Sequence, residues 1–151
     1  MFKVYSRYGV LIAIVLIAYF LVLKLVGLHQ YPTLSTANGL IFGLGIYLAL
    51  KKYRSQKDNF KFEKGFEVGL FSGGIATLIF TIFMAVYMYQ IDLEFAASIM
   101  ERWNLKYELG TLMLLLTILI MGFVTTLVLT LAFMQLLKSS WNTKDGNRNT
   151  L

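Results

Sequence analysis

An all-α fold, a bundle of four transmembrane helices with a short amphipathic interfacial helix between helices 3 and 4, is predicted by three features of this sequence. The first is composition: of 151 residues, 58% are hydrophobic and only 15% charged, with a mean hydropathy of +0.67. A water-facing globule would lack the polar residues to cover itself. The second is a set of apolar runs, each about 20 residues long, the length that crosses a hydrocarbon core of about 30 Å at about 1.5 Å per residue. The third is the recurrence of small residues at every fourth position, a pattern that lets helices approach closely in lipid, where hiding apolar surface gains nothing.

The first span covers about residues 8–28, YGVLIAIVLIAYFLVLKLVGL, behind Lys3 and Arg7. Its Leu, Ile, Val and Phe residues contribute about −0.4 kcal/mol each and together outweigh the cost of a central lysine, about +2.5 to +3.5 kcal/mol, so Lys24 does not block insertion. The apolar stretch is longer than a signal-peptide core and no A-x-A-like site follows it, so an uncleaved anchor is expected rather than a cleaved leader. The second span, about 31–50, is the weakest. Pro32 suits a helix first turn, but counted from Ser35 as a cap the helix is short, which leaves tilt, a thinned bilayer or a partly re-entrant path open. The third span runs over about 66–90 and the fourth over about 109–137, with no charge between Glu108 and Lys138. Residues 1–138 therefore form a single membrane domain, and 139–151, SSWNTKDGNRNTL, a polar tail expected to be disordered.

The bases sort by connection. Lys51, Lys52, Arg54, Lys57, Lys61 and Lys64 crowd the segment between spans two and three, and Lys3, Arg7, Lys138, Lys144 and Arg148 lie at the chain ends. Only Lys24, Arg102 and Lys106 fall on the opposite side. By the positive-inside rule both termini and the middle loop are cytoplasmic, which requires an even number of spans. The same placement accounts for the net charge of +6 without a nucleic-acid partner. Besides setting topology, the Lys51–Lys64 loop can hold anionic lipid headgroups at roughly 1 kcal/mol per suitably placed base.

On the far side, QIDLEFAASIMERWNLKYEL places Phe95, Ile99, Trp103 and Tyr107 on one helical face, flanked by Ala96 and Met100. Asp92 and Glu94 fall at its positive N-terminal end, and Trp103 and Tyr107 suit a headgroup layer. A short helix lying on the membrane surface is expected; the plainer alternative is an extension of span three or four into water.

Span three carries Gly65, Gly69, Gly73, Thr77, Thr81 and Ala85 at steps of four. A phosphate-cradling loop would need a preceding strand and a following Lys with Ser or Thr, and none follows Gly73. Span two has Gly39 and Gly43 at the same spacing, and span four has Gly122, Thr126 and Thr130. Helix packing is therefore assigned to Gly39, Gly43, Gly65, Gly69, Gly73, Gly122 and Thr126, either within one chain or across a homodimer.

Chemistry is sparse. The absence of cysteine excludes disulfides, thiolate metal sites and dithiol redox chemistry. His29, the single histidine, excludes paired-histidine haem ligation within one chain, and no metal or other cofactor is expected. Lys24 and Glu67 stand out as ionisable groups about one turn inside their spans. Lys24 is read as snorkelling to the outer headgroups and Glu67 as a surface pair or helix-start charge, at opposite membrane faces. The outer acids Asp92, Glu94, Glu101 and Glu108 form no recognisable nucleophile, base and orienter set; an enzyme acting through them on a lipid or envelope substrate would need them to converge. Thr111, Thr117, Thr125 and Thr126 can bond the carbonyl four residues back and imply no polar conduit.

With four short spans, cytoplasmic termini and the stretch KGFEVGLFSG…YMYQID, in which Gly65, Phe66, Gly69, Tyr87 and Asp92 carry the likeness, the chain resembles the small integral membrane proteins of Bacteroidota grouped as domain of unknown function 4199. The resemblance covers nearly all of the chain apart from the tail. Members often carry a proline after the acidic residue; Leu93 follows Asp92 here, so the outer helix is expected to begin differently. The resemblance implies no activity and no residue roles. A non-enzymatic structural or accessory component of a membrane complex is expected. The alternative is a small dimeric transporter or channel, for which Glu67 is the single embedded carboxylate, since spans one, two and four contain none.

Overall fold

A computed structural model describes residues 2–28, 32–56, 61–102 and 107–137, with side chains placed over 3–28, 36–56, 61–101 and 109–137. The elements are α1 (Phe2–Leu25), α2 (Pro32–Ser55), α3 (Phe62–Val86) running on into a π-helical turn (Tyr87–Ile91), α4 (Leu93–Arg102) and α5 (Tyr107–Leu136). No strand occurs among the described residues. Lys3–Leu25, Phe62–Ile91 and Leu109–Leu136 are long and apolar enough to cross a membrane, which makes this a multi-pass membrane protein. The second expected span forms a helix too, and its 24 residues reach about 36 Å. Yet over its described side chains, residues 36–56, α2 is not among the helices apolar enough to cross, and Lys51, Lys52 and Arg54 lie at its C-terminal end.

The first helix ends earlier than its apolar run. Gly27 has φ +74, its N–H donates to the Lys24 carbonyl at 3.0 Å, and the Leu28 N–H donates to the Leu23 carbonyl at 2.9 Å. This is the left-handed terminating turn that glycine adopts without a steric penalty. Lys24 thereby lies in the last turn of α1.

Helix α3 is central, with α1, α2 and α5 all packed on it. Helix α1 runs parallel to α3: Tyr5 stacks on Phe71 with ring centroids 5.2 Å apart, and further along both helices Phe20 meets Tyr87 edge-on at 4.9 Å. Helix α5 runs antiparallel to α3, since Gly69 faces Thr130, Gly73 faces Thr126 and Thr77 faces Gly122. In each pair a threonine side chain occupies the space a Cβ would need on the opposing glycine. Helix α2 runs parallel to α5: a Cβ on Gly43 would lie 3.5 Å from Leu129, and Tyr47 meets Phe133. The four long helices thus alternate in direction.

Most of the expected packing positions are filled. Gly65, Gly69 and Gly73 are buried on α3, and Thr126 is fully buried, its hydroxyl donating to the Gly122 carbonyl at 2.7 Å. Gly39 departs from the expectation: a Cβ there would meet nothing within 4 Å, because it borders an open groove between the helices. Gly9 and Gly45 take that role instead. A Cβ on Gly9 would press on Ile75 and on the Ser72 carbonyl, and one on Gly45 would overlap Ile12.

Two apolar clusters fill the interior. One gathers Ile12, Leu16, Ile46, Leu50, Val68 and Met134. The other, at the C-terminal end of α1, gathers Phe20, Met88, Phe95, Met100, Leu114 and Leu115. Helix α4 is the amphipathic helix the sequence predicts, and its apolar face, Phe95, Ala96 and Met100, is buried in that second cluster. Trp103 and the side chain of Tyr107, expected to extend that face, lie outside the described residues.

Replacing Gly73 by Ile is expected to cost about 1–3 kcal/mol by overpacking against Thr126, read as lowered thermal stability of the protein in mild detergent. Gly39→Ala, at the open position, is expected to stay within about 0.5 kcal/mol of the parent.

Candidate functional site

Ionisable groups beside apolar spans are costly unless paired, so their partners show where polarity is concentrated. The main concentration lies where α1 ends and α3 gives way to α4. Through the π-helical turn the Asp92 N–H donates to the Tyr87 carbonyl, five residues back, at 2.9 Å. Such turns carry one extra residue and re-aim the side chains that follow. Asp92 then leaves helical geometry at φ −144, ψ 84, and its Oδ1 accepts the Phe95 N–H at 2.9 Å. It is the N-cap of α4.

The other carboxylate oxygen faces α1. Lys24 Nζ donates to Asp92 Oδ2 at 2.6 Å, and the Tyr87 hydroxyl donates to the same oxygen at 3.0 Å. The ammonium also lies 4.5 Å from the centre of the Tyr87 ring, a cation–π contact. Phe20 stands edge-on to Phe83, Tyr87 and Phe95, with centroids 6.0, 4.9 and 5.8 Å away. These rings bury Tyr87 to 1% exposure, while the Lys24 and Asp92 side chains remain 32% and 21% exposed. The hydrogen bond from Lys24 holds the Asp92 carboxyl below its ordinary 3.8; the Phe95 N–H and the Tyr87 hydroxyl act in the same direction and burial acts against them. The aspartate is therefore ionised at neutral pH, and the cluster clasps the end of α1 to the junction of α3 and α4.

The family described as protein of unknown function (DUF4199) matches residues 7–135, which include this whole cluster. The chain belongs to that family. No curated protein and no solved structure matches it.

In this DUF4199 protein Lys24 does not stand alone as a snorkelling lysine; its ammonium is held by Asp92. Leu93, which follows Asp92, is the first residue of α4. The helix starts there by means of the Asp92 cap, in the first-turn position that proline also suits. Glu67 lies at the other end of α3, where Lys64 Nζ donates to its two oxygens at 2.9 and 3.2 Å. It is a surface pair, far from Lys24, as the opposite-face reading requires. Glu94 and Glu101 are exposed, whereas His29 and the side chain of Glu108 lie outside the described residues. Lys51, Lys52 and Lys61 of the basic connection are exposed, and residues 57–60 and 138–151 lie outside the described residues. Among the described residues no three His, Cys, Asp or Glu side chains are grouped to hold a metal ion. Thr117 bonds the Met113 carbonyl at 2.8 Å, as expected, but Thr111 turns to Met100 Sδ at 3.7 Å.

Sequence reasoning missed the Lys24–Asp92 pair. The signal was present: Lys24 at the end of the first apolar run and Asp92 at the end of the third fall on the same side of the membrane by the charge count, and their signs are opposite.

The carboxyl of Asp92 is depressed in the folded protein, so its contribution to stability is fully present above the ordinary aspartate range and is lost as pH falls through the folded value. Thermal stability in detergent is expected to be flat from about pH 7 to 5 and to fall below about pH 4. Asp92→Asn, which keeps the cap and removes the charge, is expected to flatten the part of that fall due to Asp92. An unchanged acid profile in the variant would contradict the assignment.

Proposed function

We propose that this protein is a non-enzymatic structural or accessory component of a complex in the bacterial inner membrane. It is a four-span bundle with both termini and the Lys51–Lys64 loop in the cytoplasm. The observation that carries this reading is the closure of its main polar cluster: Lys24, Tyr87 and the Phe95 N–H all direct their donors at Asp92. Groups that a catalyst or carrier would keep available are here engaged in holding helices together. The alternating directions of the long helices and the 24-residue length of α2 support α2 as the fourth span. Helix α5 leaves Leu116, Ile120, Val124, Leu127 and Val128 exposed, an apolar surface suited to lipid, to another membrane protein or to a second copy of this chain.

The dimeric transporter reading depends on Glu67 as the coupling carboxylate. That residue is half-exposed and already bonded to Lys64, which does not favour it.

Reporter fusions at the two ends, together with crosslinking in intact cells and mass spectrometry of the purified product, test the proposal. The expected result is cytoplasmic reporters at both ends and a reproducible membrane-protein partner. Termini on opposite sides, or substrate flux in liposomes that Glu67→Gln abolishes with no partner recovered, would overturn it.

A further inference from the structure

A groove of about 220 Å³ is lined by α1, α2, α3 and α5. Leu16, Phe42, Phe80 and Ile118 give it apolar walls, and Asn38 and Thr77 also line it. Asn38 Oδ1 and Thr77 Oγ1 are buried and have no hydrogen-bond partner, and Thr77 is only 4% exposed. Buried polar atoms are nearly always satisfied, and a hydrocarbon core offers no water to do it.

The two atoms differ in what they can do alone. A threonine hydroxyl can turn back to a carbonyl of its own helix. An amide oxygen needs a donor, and the N–H groups inside a helix are already engaged. Asn38 lies about 9 Å along α2 from Pro32, below the level of the helix end, and among the described residues no charged side chain lines the groove. A charged headgroup has no counter-ion there, and a plain acyl chain has no donor to offer. Gly39 lies on the rim with nothing within 4 Å of a Cβ position, which keeps the entrance clear.

We propose that this groove binds an uncharged hydroxyl-bearing lipid of the long-chain alcohol or diacylglycerol type, whose hydroxyl donates to Asn38 and accepts from Thr77. The site is separate from the Lys24–Asp92 clasp; it rests on α2 crossing the membrane as proposed above, and not on the protein serving a complex.

Full-length protein in phospholipid nanodiscs can be photolabelled with a diazirine-bearing hexadecanol and, in parallel, with its methyl ether, which cannot donate. Labelling of α2 and α5 peptides is expected to be about fivefold stronger for the alcohol, the ratio that one net hydrogen bond gives. Asn38→Leu, close in size and without the amide, should lower alcohol labelling to the level of the ether. Gly39→Leu should block both probes by filling the rim. Equal labelling by the two probes in the parent protein, or an alcohol preference that survives Asn38→Leu, would overturn the proposal. Because the comparison of alcohol with ether is made within each folded sample, it decides the matter even where Gly39→Leu fails to fold.

Discussion

The close approach of α3 and α5 is the constraint from which the rest of the arrangement follows. In lipid, apolar side chains gain nothing by meeting one another, so a stable contact needs two smooth backbones and something to fill the space between them. Here the filling is reciprocal: Thr130 and Thr126 fit over Gly69 and Gly73 of α3, and Thr77 of α3 fits over Gly122. Three such contacts at steps of four favour one register, because a slip of one turn would set Met134 against Gly69 in one direction and Ile118 against Thr77 in the other. The polar cost is partly met within the helix itself, where Thr126 returns its hydroxyl to the Gly122 carbonyl.

The position of the polar clasp depends on that register. With α3 fixed against α5 on one face and against Gly9 of α1 on another, the end of α3 comes level with the end of α1. The π-helical turn then presents Tyr87 and Asp92 toward Lys24, and the same carboxylate starts α4 by capping it. Helix α4 in turn buries Phe95, Ala96 and Met100 against Met88 and Leu114. One residue, Asp92, thus joins the ends of three helices, and its charge is stabilised by the partners that it joins. Buried hydroxyls of Ser72, Thr77, Thr81 and Thr130 are left without a partner but can turn back to their own helix, and among these unpartnered groups the amide of Asn38 alone cannot.

Much of this was legible in the sequence, for physical reasons that differ by element. The long helices follow from apolar runs whose length is set by the bilayer, and α4 follows from the spacing of Phe95, Ile99 and the residues beside them. The stripe from Gly65 to Thr77 and that from Gly122 to Thr130 were readable because each repeats a small residue several times. Gly9 and Gly45 were overlooked because neither has a glycine or threonine four residues away. Each is followed at that distance by an alanine, Ala13 and Ala49, both fully buried, so a count of all small residues would have found them. Gly39 misled for the converse reason: it has the right spacing to Gly43, but spacing does not say whether a neighbouring helix closes over it. The end of α1 was overestimated because hydropathy continues through Val26 and Leu28, whereas the backbone turns at Gly27. The Lys24–Asp92 contact spans 68 residues and could be read only by first assigning both charges to one membrane face.

The chain contains no cysteine, so pairs of engineered cysteines can report the α3–α5 register without background. A Cβ at Gly69 lies 3.1 Å from that of Thr130, close to the separation of about 3.8 Å found in disulfides. The account predicts rapid oxidative crosslinking within the chain for Gly69→Cys with Thr130→Cys and little or none for the shifted pair Gly69→Cys with Thr126→Cys, measured in native membranes. Equal crosslinking of the two pairs, or crosslinking of the shifted pair alone, would contradict it.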